Sequence, residues 1–315
     1  MAKKIKLAVI FGGPSGEHNI SLKSAKEVIR FLDKDKYEIL SILVPRDGKW
    51  KEDLLKRCGK IDLALIIGHG TFMEDGHLQA ILETYRIPYL FSGVLASVLA
   101  MNKHKSKIMA ESAGLQIVKG IAIKKEDAVC YQKVIKKIKF PAIIKPNRLG
   151  SSIGISVVKS EKEFYAGLQE VFRWDREIIL EEFIKGRELT VAVVELDRLD
   201  TLPVIEIKPQ VSKWFNYDAK YKKGGSIETC PAEIPEKIAR KAQNYAKKIF
   251  EAIGCRDLAR VDFIWDEKAD KIYFLEINNI PGMTKRSIVP LAACSAGHKL
   301  EKIFDIFIER RLEKV

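Results

Sequence analysis

Apolar residues fall along this chain in short dense runs and in longer stretches that repeat every three or four positions. Residues 6–11, 37–44 and 62–67 are dense runs rich in Ile, Leu and Val, which predict strands of a buried parallel sheet. Between the first two, Leu22, Ala25, Val28, Ile29 and Leu32 share one face of a helix starting near Ser21. Glycine turns follow the strands: Gly12-Gly13-Pro14-Ser15-Gly16 after the first, Gly68-His69-Gly70 after the third. Strand, glycine turn and helix in alternation predict an α/β unit with its ligands beyond the carboxyl ends of the strands. Glu17, His69, Glu74 and Asp75 are therefore directed towards one crevice.

The pattern then changes to α+β. One helix is expected over 97–113, ending at Gly114 and carrying Lys103, His104, Lys105 and Lys107. Strands 140–144 and 155–158 flank Lys145-Pro-Asn-Arg-Leu-Gly-Ser-Ser-Ile-Gly154, a hairpin tip offering N–H groups, hydroxyls and a lysine to a phosphate. No Gly-Lys-Ser/Thr closes it, so it is not a Walker loop, and an ordinary tight turn fits as well. Ser160 and Glu163 form a capping box ahead of a helix, and strands 177–183 and 188–196 follow. After a strand at 201–207, residues 208–230 carry Trp214, Phe215, Tyr217, Tyr221 and several lysines, the composition of a lid. A helix from Pro235 to Gly254, a strand pair at 258–265 and 271–278, and a helical tail after Ser287 complete the chain. Three units are expected: 1–102, 103–188 and 189–315, the last with the lid at 208–230.

The 315 residues carry 55 basic and 42 acidic side chains, a net +13. That excess suits nucleotides, nucleic acid or plain solvated helix faces. No apolar run approaches the ~20 residues of a membrane helix, and the first residues lack a signal-peptide core, so a cytoplasmic protein is expected. Five dispersed cysteines without a Cys-x-x-Cys pair argue against zinc or a disulfide frame.

The densest chemistry lies in the last strand pair. Alternation puts Arg260 and Asp262 on one face of the first strand, and Glu276 and Asn278 on one face of the second. Matching the apolar faces of an antiparallel pair brings Asp262, Glu276 and Asn278 together. Three hard oxygen donors describe a magnesium–nucleotide site, with Arg260 as a fixed cation beside it; a solvated, charge-paired hairpin face is the alternative.

From GGPSGEHNISLKSA through HGTFMEDG, LAMNKHKSK, FPAIIKPNRLGSSIGI, EEFIKGRELTV, LPVIEI and FNYDAKY to ARVDF and LEINNIPGMTKRSIVP, the chain resembles the D-alanine–D-alanine ligases of the ATP-grasp superfamily. The resemblance implies an ATP-grasp fold: a parallel α/β domain, then central and C-terminal α+β domains gripping ATP. It implies joining of two D-alanines through a D-alanyl phosphate for peptidoglycan synthesis, with ATP as substrate and two Mg2+ or Mn2+ ions, in a homodimer. By position, Lys103, Lys145 and Lys220 would bind phosphates. Glu181 and the backbone of Phe183 and Ile184 would hold adenine, and Glu188 the ribose. Asp262, Glu276 and Asn278 would hold the metal ions. Glu17 would take the ammonium of the first D-alanine and be linked through Ser151 to Tyr221, with His69 alongside. Arg260 and the Gly282 N–H would form the oxyanion hole, and Ser287 would hold the second D-alanine.

Read without the family, Lys103 to Lys107 is a wet helix face, and Ser287 is a helix cap. Asn102, Asn279, Ile280, Met73-Glu74, Leu90 to Gly93 and Lys285-Arg286 depart from the usual family pattern. By the same resemblance, a tyrosine at 221 favours D-alanine over D-lactate as the second substrate. A basic nucleic-acid-binding protein is the reading from another class.

Overall fold

In the computed structural model, residues 3–47, 56, 60–210 and 224–313 are described. Strands β1 (Ile5–Gly12), β2 (Tyr37–Val44) and β3 (Leu63–Gly68) form a parallel sheet in the order β2-β1-β3. Its centre is dry: Leu7, Ala8, Val9 and Ile10 are fully buried. Gly12 runs at φ +97°, and a Cβ there would lie 2.3 Å from the Val44 carbonyl oxygen, so only glycine fits the turn. Helix α1 (His18–Phe31) begins ahead of the apolar repeat, its start fastened by the His18 ring against the Gly13 carbonyl at 2.7 Å.

The helix expected over 97–113 is two. Helices α2 (His77–Thr84) and α3 (Val94–Met101) come first, and α4 (Lys103–Ser112) follows after a break at Asn102. Asn102 is extended, and its side chain accepts from the Lys105 N–H at 3.0 Å, so it caps α4 and cannot continue α3.

Strands β5 (Gly120–Lys124), β6 (Ala142–Pro146), β7 (Ser156–Val158) and β8 (Glu177–Glu182) form a four-stranded antiparallel sheet in the order β5-β8-β6-β7. The short helix α5 (Tyr131–Ile135) and the longer α6 (Glu161–Val171) accompany it, and Phe164 and Leu168 of α6 join its core. Ser160 accepts from the Glu163 N–H at 3.3 Å, as the capping box requires, while the Glu163 carboxylate takes the Lys159 N–H instead of that of Ser160.

The third sheet has seven strands. β4 (Gln116–Ile117), β9 (Arg187–Glu195), β11 (Ile205–Pro209), β12 (Ser226–Thr229), β13 (Leu258–Asp266) and β14 (Lys271–Asn278) lie in the order β12-β11-β9-β13-β14-β4, and β10 (Leu199–Thr201) pairs with β9. Helix α4 also packs against β14, so residues 103–117 run along this sheet while the start of α4 is bonded to Asn147 just beyond β6. The strand expected over 201–207 is interrupted at 202–204, where Pro203 has no N–H to pair. The expected loop 208–230 is partly strand: Glu206 faces Thr229 and Pro209 faces Ser226, because alternation continues past Ile207.

Helix α7 (Glu236–Ile253), bounded by Pro235 and left-handed Gly254, covers one face of the large sheet. Leu189, Val191 and Val193 of β9 and Val261, Phe263 and Trp265 of β13 point to it. On the other face Ala192, Val194 and Leu258 pack with the parallel sheet and with tail helices α8 (Ile288–Ser295) and α9 (Leu300–Leu312). Along that second face the apolar series gives way to Thr190, Arg260 and Asp262, and there the cleft opens. Buried hydrogen bonds and ion pairs clamp the tail: Tyr37 donates to Asp305 at 2.7 Å, and Asp257 takes the Phe91 N–H and both Arg310 and Arg311. Among the described residues no helix is long and apolar enough to cross a membrane.

Candidate active site

A cavity of about 540 Å³ lies where the parallel sheet, the hairpin tip after β6 and the β13–β14 pair meet. Pairing puts Asp262 opposite Glu276 and Arg260 opposite Asn278, with a bulge after Asp262. All four line the cavity. Arg260 forks onto Asp262, Nε to Oδ1 and Nη2 to Oδ2, both at 2.9 Å, and Thr190 donates to the same Oδ1 at 2.6 Å. Lys103 reaches Glu276 at 3.2 Å and donates to the Leu149 carbonyl at 2.6 Å, tying α4 to both β14 and the hairpin tip.

The tip folds back on the parallel sheet. Ser151 and Ser152 sit at φ +54° and +56°, a left-handed pair that serine adopts at a cost of order 1 kcal/mol each. The turn aims the Ser151 hydroxyl at Glu17, to which it donates. A Cβ on Gly150 would meet Glu17 Oε2 at 2.8 Å, so the close approach needs glycine there.

His69 enters the cavity from the end of β3 and is 4% exposed. Its Nδ1 lies 3.1 Å from the Ile280 carbonyl, which makes it the donor, and Nε2 faces the Ser24 hydroxyl at 3.5 Å. Burial depresses its pKa, so the ring is neutral. Glu74, also buried, accepts the Gly70 N–H at 2.9 Å; burial and then the neighbouring Glu17 charge raise its pKa well above the usual carboxylate range. Gly282 and Ser287 form the opposite wall. Ser287 stands at the N-terminus of α8 but does not cap it: its hydroxyl accepts from the Thr284 N–H at 3.0 Å. Lys285 and Arg286 are exposed at the rim.

Lys145 and Glu181 are not among the cavity-lining residues; they sit deeper, between the hairpin and α4. Lys145 donates to Glu181, whose other oxygen lies 3.0 Å from Lys107. Burial alone would raise the Glu181 pKa, but the Lys107 and Lys145 charges outweigh it and hold the carboxyl low. Lys103 and Lys107 are 5% and 4% exposed, so this side of α4 faces the protein and not water. The sequence pattern places Lys107 only on a wet helix face; its spacing of four from Lys103 is the signal that the two share a side. The Phe183 N–H is already donated to the Pro141 carbonyl at 3.1 Å and is not available to a ligand edge. Glu188 lies on β9, paired with Ile207 and Ile264. Lys220 and Tyr221 fall outside the described residues.

The family model for the D-ala D-ala ligase C-terminus matches residues 109–309, and that for the D-ala D-ala ligase N-terminus matches 6–57. The chain belongs to the D-alanine–D-alanine ligase family. It is 38% identical to a D-alanine–D-alanine ligase of Clostridium botulinum (strain Alaska E43 / Type E3), covering 99% of this chain and 100% of the relative. Among solved structures it is similar to the VanG D-Ala:D-Ser ligase from Enterococcus faecalis, with a TM-score of 0.88 and 31% identity over 98% of this chain and 100% of that one. The Bacillus anthracis D-alanine–D-alanine ligase complexed with ATP gives a TM-score of 0.84 at 31% identity, with 98% of each chain covered. The fold is therefore the ATP-grasp fold of this family, and the family is ATP-dependent.

Proposed function

We propose that this protein joins two D-alanines into D-alanyl-D-alanine at the expense of ATP, in the cytoplasm, for peptidoglycan precursors. The observation that carries the reading is one cavity holding both the Ser151–Glu17 pair and the Arg260–Asp262 fork beside Glu276 and Asn278. Two carboxylates and an amide on one strand-pair face are hard oxygen donors, and Lys103 and Arg260 balance their charge; this set fits Mg2+ or Mn2+. Bound there, the ions would neutralise the phosphates during transfer.

Lys103, Lys145 and Lys220 bind the phosphates, Glu181, Phe183 and Ile184 the adenine, and Glu188 the ribose. Glu17 holds the ammonium of the first D-alanine, whose own carboxylate attacks the γ-phosphorus and displaces ADP to give D-alanyl phosphate. The second D-alanine, its carboxylate held by Ser287, loses a proton and attacks the acyl carbon. Arg260 and the Gly282 N–H meet the oxyanion before phosphate departs. Neutral His69 lines the first pocket without adding charge. Tyr221 and the rest of the segment around it exclude water from the acyl phosphate. The three-unit division and a homodimer belong to the same proposal. Leu95 and Val98, 70% and 47% exposed and three residues apart on α3, offer an apolar patch for the dimer.

The likeness to the D-Ala:D-Ser ligase, together with the basic Lys285-Arg286 rim, favours one second reading: another D-amino acid or D-hydroxy acid as the second substrate. Phosphate release with ATP and Mg2+ decides. Release with D-alanine alone supports the dipeptide reading. No release with D-alanine alone, but release on adding D-serine or D-lactate, overturns it.

A further inference from the structure

Lys107 and Lys145 share one carboxylate: Lys145 donates to Glu181 Oε1, and Lys107 Nζ lies 3.0 Å from Oε2. Glu181 is 1% exposed, and the two lysines are 4% and 6% exposed. Two buried ammoniums on one buried carboxylate leave a positive charge in excess at that carboxylate, which an arriving anion would balance. The two lysines are not equivalent. Lys107 also lies 3.4 Å from the Phe274 carbonyl on β14 and sits within α4, whose first two N–H groups, of Lys103 and His104, donate to Asn147. Lys145 stands at the end of β6, where the phosphate-facing hairpin begins.

We propose that Lys107 is a positioning residue for the nucleotide: it stays on Glu181 as the permanent counter-ion, so that Lys145 can turn to the phosphates. The inference rests on the reading of Lys145 at the phosphates and Glu181 at adenine. Without Lys107, turning Lys145 away would strand an unpaired buried carboxylate, so Lys145 would stay where it is or Glu181 would take up a proton. With Lys107, Glu181 remains an anion that only accepts hydrogen bonds, which suits the 6-amino group of adenine and repels a 6-oxo group. The Lys107 ammonium is itself under pressure: burial lowers its pKa to about 8, opposed by Glu181 and assisted by Lys145. Departure of Lys145 towards the phosphates relieves part of that pressure and firms the remaining pair.

The test compares Lys107→Met and Lys107→Arg with the parent at saturating D-alanine and neutral pH, using ATP and inosine triphosphate, which carries a 6-oxo group. Loss of one charge-assisted contact predicts a KM for ATP raised about tenfold or more in Lys107→Met. Its D-alanine KM should be unchanged, its preference for ATP over inosine triphosphate reduced, and both nucleotide properties largely restored in Lys107→Arg. A purely structural role would not move base preference. Glu181→Ala separates the two layers of the argument. If it keeps the parent's base preference, the reading of Glu181 at adenine fails and the proposal with it. If Glu181→Ala loses that preference while Lys107→Met keeps ATP KM and preference within twofold, the proposal alone is overturned. Should Lys107→Met not melt cooperatively, Lys107→Gln, which keeps a neutral hydrogen-bond donor, is read by the same criteria.

Discussion

Replacing Arg260 with alanine isolates the cation proposed to stand beside the reacting carbon. The side chain is 15% exposed and makes two 2.9 Å contacts to Asp262, so its charge acts in a partly shielded cleft. Its loss leaves Asp262 still hydrogen-bonded to Thr190 at 2.6 Å, and the fold should lose no more than about 1–3 kcal/mol. The reaction should lose more. Removing one preorganised donor to an oxyanion costs about 2.7–4 kcal/mol, or roughly 10²–10³ in kcat. A coupled phosphate-release assay with D-alanine, alongside nucleotide binding by calorimetry, reads both sides: kcat should collapse while ATP still binds. A variant within threefold of the parent kcat would remove Arg260 from the oxyanion hole, and a variant that no longer binds ATP would assign it to the nucleotide.

Three further outcomes follow from the geometry. A Cβ at Gly282 would lie 2.9 Å from Ser287 Oγ, so Gly282→Ala should raise the KM for the second D-alanine more than that for the first, read from two-site substrate curves. Asn102→Ala removes the cap of α4 at a cost of about 1 kcal/mol, which should lower the melting temperature by about 2 °C. The folded-state pKa of His69 lies below its usual 6.5, so as pH falls past 6.5 the unfolded chain takes the proton first. Stability should therefore fall on acidification through that window, and His69→Asn should flatten the decline in denaturation curves between about pH 7 and pH 5.

The strand pair carrying Asp262 and Glu276 was legible because period-two alternation excludes any one-residue slip once both apolar faces are buried, and Asp262 does lie opposite Glu276. Helix α7 was legible at both ends, where Pro235 and Gly254 punctuate it. Helix α4 was not. Its lysines read as a solvated stripe, whereas Lys103 and Lys107 face inward because Glu276 and Glu181, supplied by distant strands, neutralise them. Local pattern carries no information on where such partners lie. The break at Asn102 was missed for a related reason: helical apolar spacing runs on through both helices, and the cap is a single side chain. The ends of the 208–230 segment pair because β11 continues beyond its apolar residues, which composition alone does not show.

The bond between Ser151 and Glu17 joins residues 134 positions apart, and the Lys36–Asp305 bond spans 269. Contacts so remote in sequence are the slowest for a chain to make, since each closes a long loop before any energy returns. On the ribosome, the proposed first D-alanine pocket cannot exist until the hairpin tip has emerged, nor the proposed oxyanion hole until residues 276–282 have followed. A truncated chain or a half-folded intermediate therefore has no partial version of this cleft, and activity should appear in a single late step of refolding.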